Sequence, residues 1–512
     1  MATISSARKW GTFALCAVVA LVPNVDLTAL NQAIPRISAD LGPSATQILW
    51  ISDAYGFALA ALLVTMGGIG DRIGHRRLLL IGTALFAAAS AVTAYAGSAE
   101  LLIGARALLG VAGATLMPSA LSLIRAVFTD PKQRTAAVGG FMAVGGLAVG
   151  LGPVVAGALL GHFWWGSVFL INVPVMLFVL VAGLAVLPKA PATVSGRLDL
   201  ASVPLSAAGV LGLVYAVKEA AAHGGEPRVY VAAVVGVAGI AAFLWRQTRL
   251  DEPLIDVSLF RDRAFTGSVS ANLFAMFALV AQSLIFSLYF QLVLGWSPLR
   301  AGLAGLPGAL GAMAGGAALA PPLIAAAGRA RTVALGMVIA AAAFASFQVV
   351  GTGTAYWIIA IPTVLSGVGM GLALTVTGDT VLASVPRRRT GAASAISETA
   401  TELGGALGLA VLGSVLNLVY RNALDLPAGV PHGPAAHARD SLPGAFEAAS
   451  ALPAQAGAQV VDAARTAFVD GMHAALLLSA GFAVLVAGAA LVTLRSVPKV
   501  IPDAAEEPVP VA

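Results

Sequence analysis

About fourteen apolar runs, each long enough to cross a bilayer, divide this chain from end to end. A spanning helix needs roughly 20 residues, and inside the hydrocarbon only helices and closed barrels satisfy their own backbone groups. The runs lie near 12–34, 49–70, 78–97, 99–126, 136–160, 165–187, 200–217, 228–246, 265–294, 299–324, 332–351, 356–384, 391–420 and 471–494. Hydrophobic residues make up 59% of the chain and charged residues 10%, whereas soluble domains carry about 25% charged residues. The fold class expected is therefore an all-α polytopic membrane protein.

The basic residues set its orientation. If the N-terminus is cytoplasmic, 21 of the 29 Lys and Arg residues fall on that side, seven fall outside, and Arg106 lies within a span. The positive-inside rule then puts both termini in the cytoplasm. It also accounts for the net charge of +5 as topology, so no nucleic-acid partner is expected. Cys16 is the only cysteine, which excludes an intrachain disulfide and a cysteine-based metal cluster. The first run reads as a retained helix, not a cleaved leader. The preponderance of arginine and alanine points to a bacterial plasma membrane.

One stretch, 49–77, leaves an apolar helix through a glycine-rich, charged turn: Gly67, Gly70, Asp71, Arg72, Gly74, His75, Arg76 and Arg77. Glycines let two helix ends approach closely, and the charged groups can bond exposed backbone there. The pattern resembles the cytoplasmic loop signature of the major facilitator superfamily, G-x-x-x-D-R-x-G-R-[RK]. Gly67, Asp71, Arg72, Gly74, Arg76 and Arg77 match, and His75 stands where arginine is usual.

Further motifs follow in the order that family shows. VDLTALNQAIPRISADLG (25–42) resembles the acid-containing motif of proton-coupled drug exporters through Asp26, Asn31 and Pro35. RALLGVAGATLMPSAL (106–121) resembles the motif built on a membrane-embedded arginine, with Gly110 and Gly113 on one helix face. GGLAVGLGPVVAGALL (145–160) is similar to the antiporter motif through Gly152, Pro153 and Gly157, with Ala148 and Ala156 in place of glycines. WWGSVFLINVPVML (164–177) and RTGAASAISETATELGGALGLAVLGSV (389–415) resemble the sixth- and thirteenth-span motifs of the fourteen-helix drug:proton antiporters.

The resemblance implies a major facilitator fold: an N-terminal six-helix bundle (1–190), two additional helices with a linker (191–264), a C-terminal six-helix bundle (265–494) and a cytoplasmic tail (495–512). It also implies inverted repeats with a substrate site between the bundles near the midplane. Gating would fall to Gly67, Asp71, Arg72, Gly74, Arg76, Gly152, Pro153 and Gly157. Exporters of quaternary ammonium compounds and other lipophilic cations are the nearest resemblance, so small organic cations and protons are the partners expected of a monomer.

Independent physics singles out the embedded charges. A charge at the bilayer centre costs roughly 2.5–3.5 kcal/mol on insertion scales. Asp26, Asp53, Asp379, Glu398 and Glu402 fall within spans, with Glu100 at a span end. Glu398 and Glu402 are four apart and share one helix face. Asp26, Asp53, Glu398, Glu402 and Arg106 are accordingly the candidates for proton coupling and cation binding, with Asn31 and Tyr55 as possible cavity residues. Plainer readings compete at several of these positions. Asp53 could mark the headgroup boundary, Arg106 could be an anchor bonded to carbonyls, and Asp379 could pair with Arg387–Arg389. The aromatics Trp50, Phe274, Phe277, Tyr289 and Phe290 could hold a flat cation or simply pack. Tyr55, one turn from Asp53, is the one preferred.

The stretch 421–470, with Pro427, Pro431, Pro434, Pro443 and Pro453, reads either as a solvated external loop or as a folded cap over the outer mouth. None of Lys9, Lys132, Lys189, Lys218 and Lys499 follows a glycine, so the chain has no phosphate-binding loop. No H-E-x-x-H occurs, and no metal or cofactor is expected. The function expected is proton-driven efflux of lipophilic cations, without enzyme activity. A dedicated self-resistance exporter of one neutral or anionic antibiotic is the alternative; a membrane-embedded enzyme or receptor is a weaker third.

Overall fold

In the computed structural model the described residues are 5–43, 45–188, 199, 201–223, 226–250, 253–254, 257–385, 390–427 and 430–499. Among them there are helices and no strand. The first group is α1 (Ser6–Leu41), α2 (Ala45–Ile73), α3 (His75–Ala94), α4 (Ala99–Val127), α5 (Pro131–His162), and the short α6 (Ser167–Leu170) leading into α7 (Asn172–Val186). Next come α8 (Ser202–His223) and α9 (Pro227–Gln247). The last group is α10 (Arg263–Leu288), α11 (Pro298–Met313), α12 (Ala320–Ala327), α13 (Arg329–Ser346), α14 (Tyr356–Ala383), α15 (Thr390–Ala423), α16 (His432–Asp440), α17 (Leu442–Ser450) and α18 (Ala454–Thr493). A π-helical segment, Ala314–Leu319, joins α11 to α12.

Twelve helical stretches among the described residues are long and apolar enough to cross a membrane. Two more helices lie among them: α5, of 32 residues, and α8, whose apolar part Ser202–Val217 is shorter. The layout agrees with the fourteen spans expected. Local chemistry sets many boundaries. Ser98 and Asp130 accept hydrogen bonds from the backbone N–H of Leu101 and Gln133, three residues on, and cap α4 and α5. Gly74, between α2 and α3, has φ 91°, a conformation L side chains rarely adopt.

Within the first group α2 packs on α4, α1 on α5, and α3 on α4 and α7; within the last, α10 packs on α14, α15 and α18. The groups meet along two seams, α5 against α11 and α2 against α15. α8 lies against both α2 and α15, with Val210 and Val214 packed beside Ala60 and Leu403. α9 pairs with α8 through backbone brought close at Gly209, Gly212, Gly236 and Gly239.

The stretch 421–470 contains a helical hairpin, not a solvated loop. α16 and α17 pack on each other, and α17 packs on the first turns of α18, burying Leu442, Ala445, Val460 and Ala464. The Tyr420 hydroxyl donates to Ala438 O at 2.7 Å, and Arg465 Nε donates to Leu292 O at 3.0 Å. α18 is therefore 40 residues long and begins well before the apolar run at 471–494.

Candidate functional site

Asp26 and Arg106 form the polar centre of the first bundle. Asp26 is 1% exposed and Arg106 is fully buried, and their side chains form an ion pair between α1 and α4. Asn172 Nδ2 donates to the other carboxylate oxygen of Asp26 at 2.9 Å. Arg106 Nε donates to Ile51 O at 3.3 Å, and the guanidinium lies 5.0 Å from the Tyr55 ring centre and 5.8 Å from that of Phe169. Arg106 is thus bonded to a carbonyl, as its plain reading has it, and is also paired with an acid. Gly110 and Gly113 make this possible, because a Cβ at either would collide with Tyr55 or its neighbours on α2.

Glu398 and Glu402 project from α15 and are both partly exposed. α15 packs against α2, α4 and α8, and both acids come within electrostatic range of Tyr55. Among the described residues no basic side chain forms an ion pair with Glu398. Tyr55 is buried with its hydroxyl unpaired among the described residues, and Asp26, Arg106, Glu398 and Glu402 all lie within electrostatic range of it.

Asp53 on α2 is partly exposed. The side chains of Asn31 and Pro153 lie outside the described residues. Phe274, Phe277, Tyr289 and Phe290 pack within the second bundle: Phe274 stacks on Phe482 and Phe290 on Trp296. Trp50 is 45% exposed beside Phe57.

The basic end of the molecule carries the links between bundles. Asp71 accepts from the backbone N–H of Gly391 at 3.0 Å and of Ala392 at 3.1 Å, capping α15 from the end of α2. His75 Nε2 lies 2.9 Å from the same carboxylate. Gly67 permits the approach, since a Cβ there would lie 2.7 Å from Ala395 Cβ. Arg72 donates to Gly68 O at 3.1 Å within α2, and Arg76 donates to Leu184 O at 2.7 Å, tying α3 to α7. Gly152 sits against α1, where a Cβ would be 3.0 Å from Val25 O, whereas open space surrounds Gly157. The close packing implied for that motif is thus present at Gly152 alone of these two glycines.

Asp379 corrects a sequence expectation. It pairs with Arg134 at 2.8 Å and Arg329 at 2.7 Å and accepts from the Thr135 hydroxyl at 2.9 Å; Arg387–Arg389 lie outside the described residues. Arg134 and Arg329 stand at helix starts, where sequence alone reads them as topology charges. Asp379 is thus structurally paired, with Arg134 and Arg329 as partners that the sequence reading did not name. Arg125 adds a link across the seam, donating to Val385 O at 2.9 Å. Asn272 was also missed. It donates to Ser397, the neighbour of Glu398 in sequence, at 2.8 Å and accepts from Thr377 at 2.6 Å; a lone amide in an apolar run was its signal.

The Major Facilitator Superfamily model matches residues 16–409. The chain belongs to that superfamily. It is 43% identical over 485 residues to the multidrug efflux pump LfrA of Mycolicibacterium smegmatis, covering 93% of this chain and 95% of that one. Identity is 34% to the methyl viologen resistance protein SmvA of Salmonella typhimurium, over 93% and 96% of the two chains. It is 31% to the tetracenomycin C resistance and export protein of Streptomyces glaucescens, over 96% and 93%. In structure the chain is similar to the human organic anion transporter MFSD10, with a TM-score of 0.59 at 14% identity, over 94% and 99% of the two chains; that likeness concerns the fold. This is a multi-pass membrane transporter of the superfamily, and its similarity is to efflux and resistance proteins.

Proposed function

We propose that the protein exports lipophilic organic cations across a bacterial plasma membrane in exchange for protons, as a monomer with both termini cytoplasmic and without a cofactor. One observation carries this reading: α15 presents two partly exposed acids four residues apart, of which Glu398 forms no ion pair among the described residues, whereas the acid of α1 is matched by an arginine. Desolvation in an apolar cavity disfavours a charged carboxylate, so such an acid accepts a proton readily from one side and yields it to the other. With the cavity facing the cytoplasm, Glu398 and Glu402 attract a cation. With the cavity facing out, protons neutralise them and the cation loses its counter-charge. Tyr55 relays changes of charge between this pair and Asp26–Arg106, and Asp53 widens the acidic wall. The bundles rock about the site, with the Asp71 cap on α15 and the Arg134–Asp379–Arg329 cluster closing the cytoplasmic end.

Exchange of one proton for one monovalent cation moves no net charge, whereas a second proton adds about 2.3 kcal/mol per 100 mV. Two glutamates side by side support the second case. The test is cation efflux from proteoliposomes at fixed pH gradient and varied potential: efflux that ignores the potential rules out two-proton exchange, and efflux that ignores the pH gradient rules out antiport. A second reading is a dedicated exporter of one antibiotic, supported by the likeness to the tetracenomycin C exporter. A whole-cell survey of dyes, biguanides and antibiotics, with and without a protonophore, separates the two.

A further inference from the structure

A groove of about 430 Å³ opens on the membrane-facing surface between α10 and α18, away from the two seams. Its walls are Phe274, Phe482, Leu485, Val486 and Ala489, and its mouth holds Arg261 and Arg263. The two helices run in opposite directions. From Arg263 to Phe274 is eleven steps of ~1.5 Å, a depth of ~16 Å, against ~15 Å for one leaflet's share of a ~30 Å core. Phe274 and Phe482, stacked at 5.9 Å, form the floor at that depth. Ser270 and Leu485 are exposed, so the groove is open sideways to lipid.

The mouth is charged. Arg261 and Arg263 are both exposed, and among the described residues neither has an ion-pair partner. The acid between them, Asp262, spends its carboxylate on the Ala264 N–H at 2.8 Å as the cap of α10. Arg495 stands two residues beyond Thr493, a lining residue on the other wall. A fork of guanidinium donors suits a phosphate diester, and the apolar trough beneath it suits a hydrocarbon chain.

We propose that this groove binds an anionic phospholipid of the leaflet at the basic end, its phosphate on Arg261 and Arg263 and one acyl chain between α10 and α18. The assignment does not depend on what the protein carries. It places a lipid against α10, which packs on the acid-bearing α15, so the charge of the surrounding membrane reaches the exchange site through one helix contact.

The test uses the purified full-length protein, equilibrated with equimolar phosphatidylglycerol and phosphatidylethanolamine of matched chain length and examined by native mass spectrometry. The wild type is expected to retain the anionic lipid in preference by about tenfold or more, as two basic residues near an anionic headgroup imply. Arg261→Gln with Arg263→Gln abolishes the preference, and the paired lysine variant keeps most of it. Ser270→Trp, which blocks the open side, lowers retention of both lipids. A preference in the double glutamine variant within about twofold of wild type overturns the proposal, as does unchanged retention in Ser270→Trp. Displacement of the lipid by tetraphenylphosphonium would make the groove a cation portal instead and also overturns it.

Discussion

Asp26 and Glu398 are both carboxylates set in apolar helices, yet one is matched and the other is not. Asp26 is sealed from solvent, with one oxygen on Arg106 and the other on Asn172. Glu398 is partly exposed, has Glu402 one turn away, and faces no basic partner among the described residues. Identical chemistry therefore has different consequences. A matched buried pair holds helices in register and resists change, because removing one partner strands a charge. An unmatched acid beside another acid is open to a proton or a cation. Position in an apolar run marks a residue as unusual; the partner decides whether it is a fastener or an exchange site.

The sharpest way to break this comparison is to remove one partner on each side. Asp26→Asn leaves Arg106 buried without its counter-ion and is expected to destabilise the protein by about 3–5 kcal/mol, read as a large fall in melting temperature together with lost transport. Replacing both, Asp26→Leu with Arg106→Met, is expected to recover the melting temperature but not transport. A stable Asp26→Asn with intact efflux would dissolve the distinction.

Glu398→Gln is expected to behave in the opposite way. The variant melts no lower than wild type, because it removes an unpaired charge from an apolar setting. A carboxylate–cation contact at ~4 Å with an effective dielectric near ~20 is worth ~4 kcal/mol, so cation affinity is expected to fall at least about tenfold, and its pH dependence to flatten. Glu402→Gln gives the smaller part of that loss if the two share the task. Equilibrium binding of a cationic dye across pH 5–8 reads both.

Asp71→Ala removes the cap on α15. Loss of an N-cap carries about 0.5–2 kcal/mol, enough to shift the bundles toward opening at the basic end without unfolding either. Distance measurements between spin labels on α2 and α15 report it; since Cys16 is buried and is the chain's only cysteine, introduced thiols label cleanly.

The smallest effect belongs to Asp199. Arg246 bonds it at 2.6 and 2.9 Å and holds its carboxyl at about 2. A depressed carboxyl contributes stability that is present above its unfolded value and lost as pH falls toward 2, so Asp199→Asn is expected to leave pH 5–8 melting curves parallel to wild type. With Arg246 at 38% exposure, the pair is worth under ~1 kcal/mol.

Much of this was legible in the sequence. Span length and apolarity set the type and approximate number of the membrane spans, because the bilayer admits few alternatives. The spacing of Glu398 and Glu402 put them on one face, and the glycine at Gly74 marked a turn where its backbone is left-handed. Partnership was not legible. Arg106 pairs with a residue 80 positions away, Arg134 with one 245 positions away, and Asp71 caps a helix 320 positions on. Nor did the prolines of 421–470 reveal that α16 packs on α17 and α17 on α18. Hydrophobic periodicity and turn chemistry are local, so one chain records them without help. Which charge neutralises which is settled only when distant helices meet, and in a low-dielectric interior that meeting decides whether an acid stays bound or remains able to exchange.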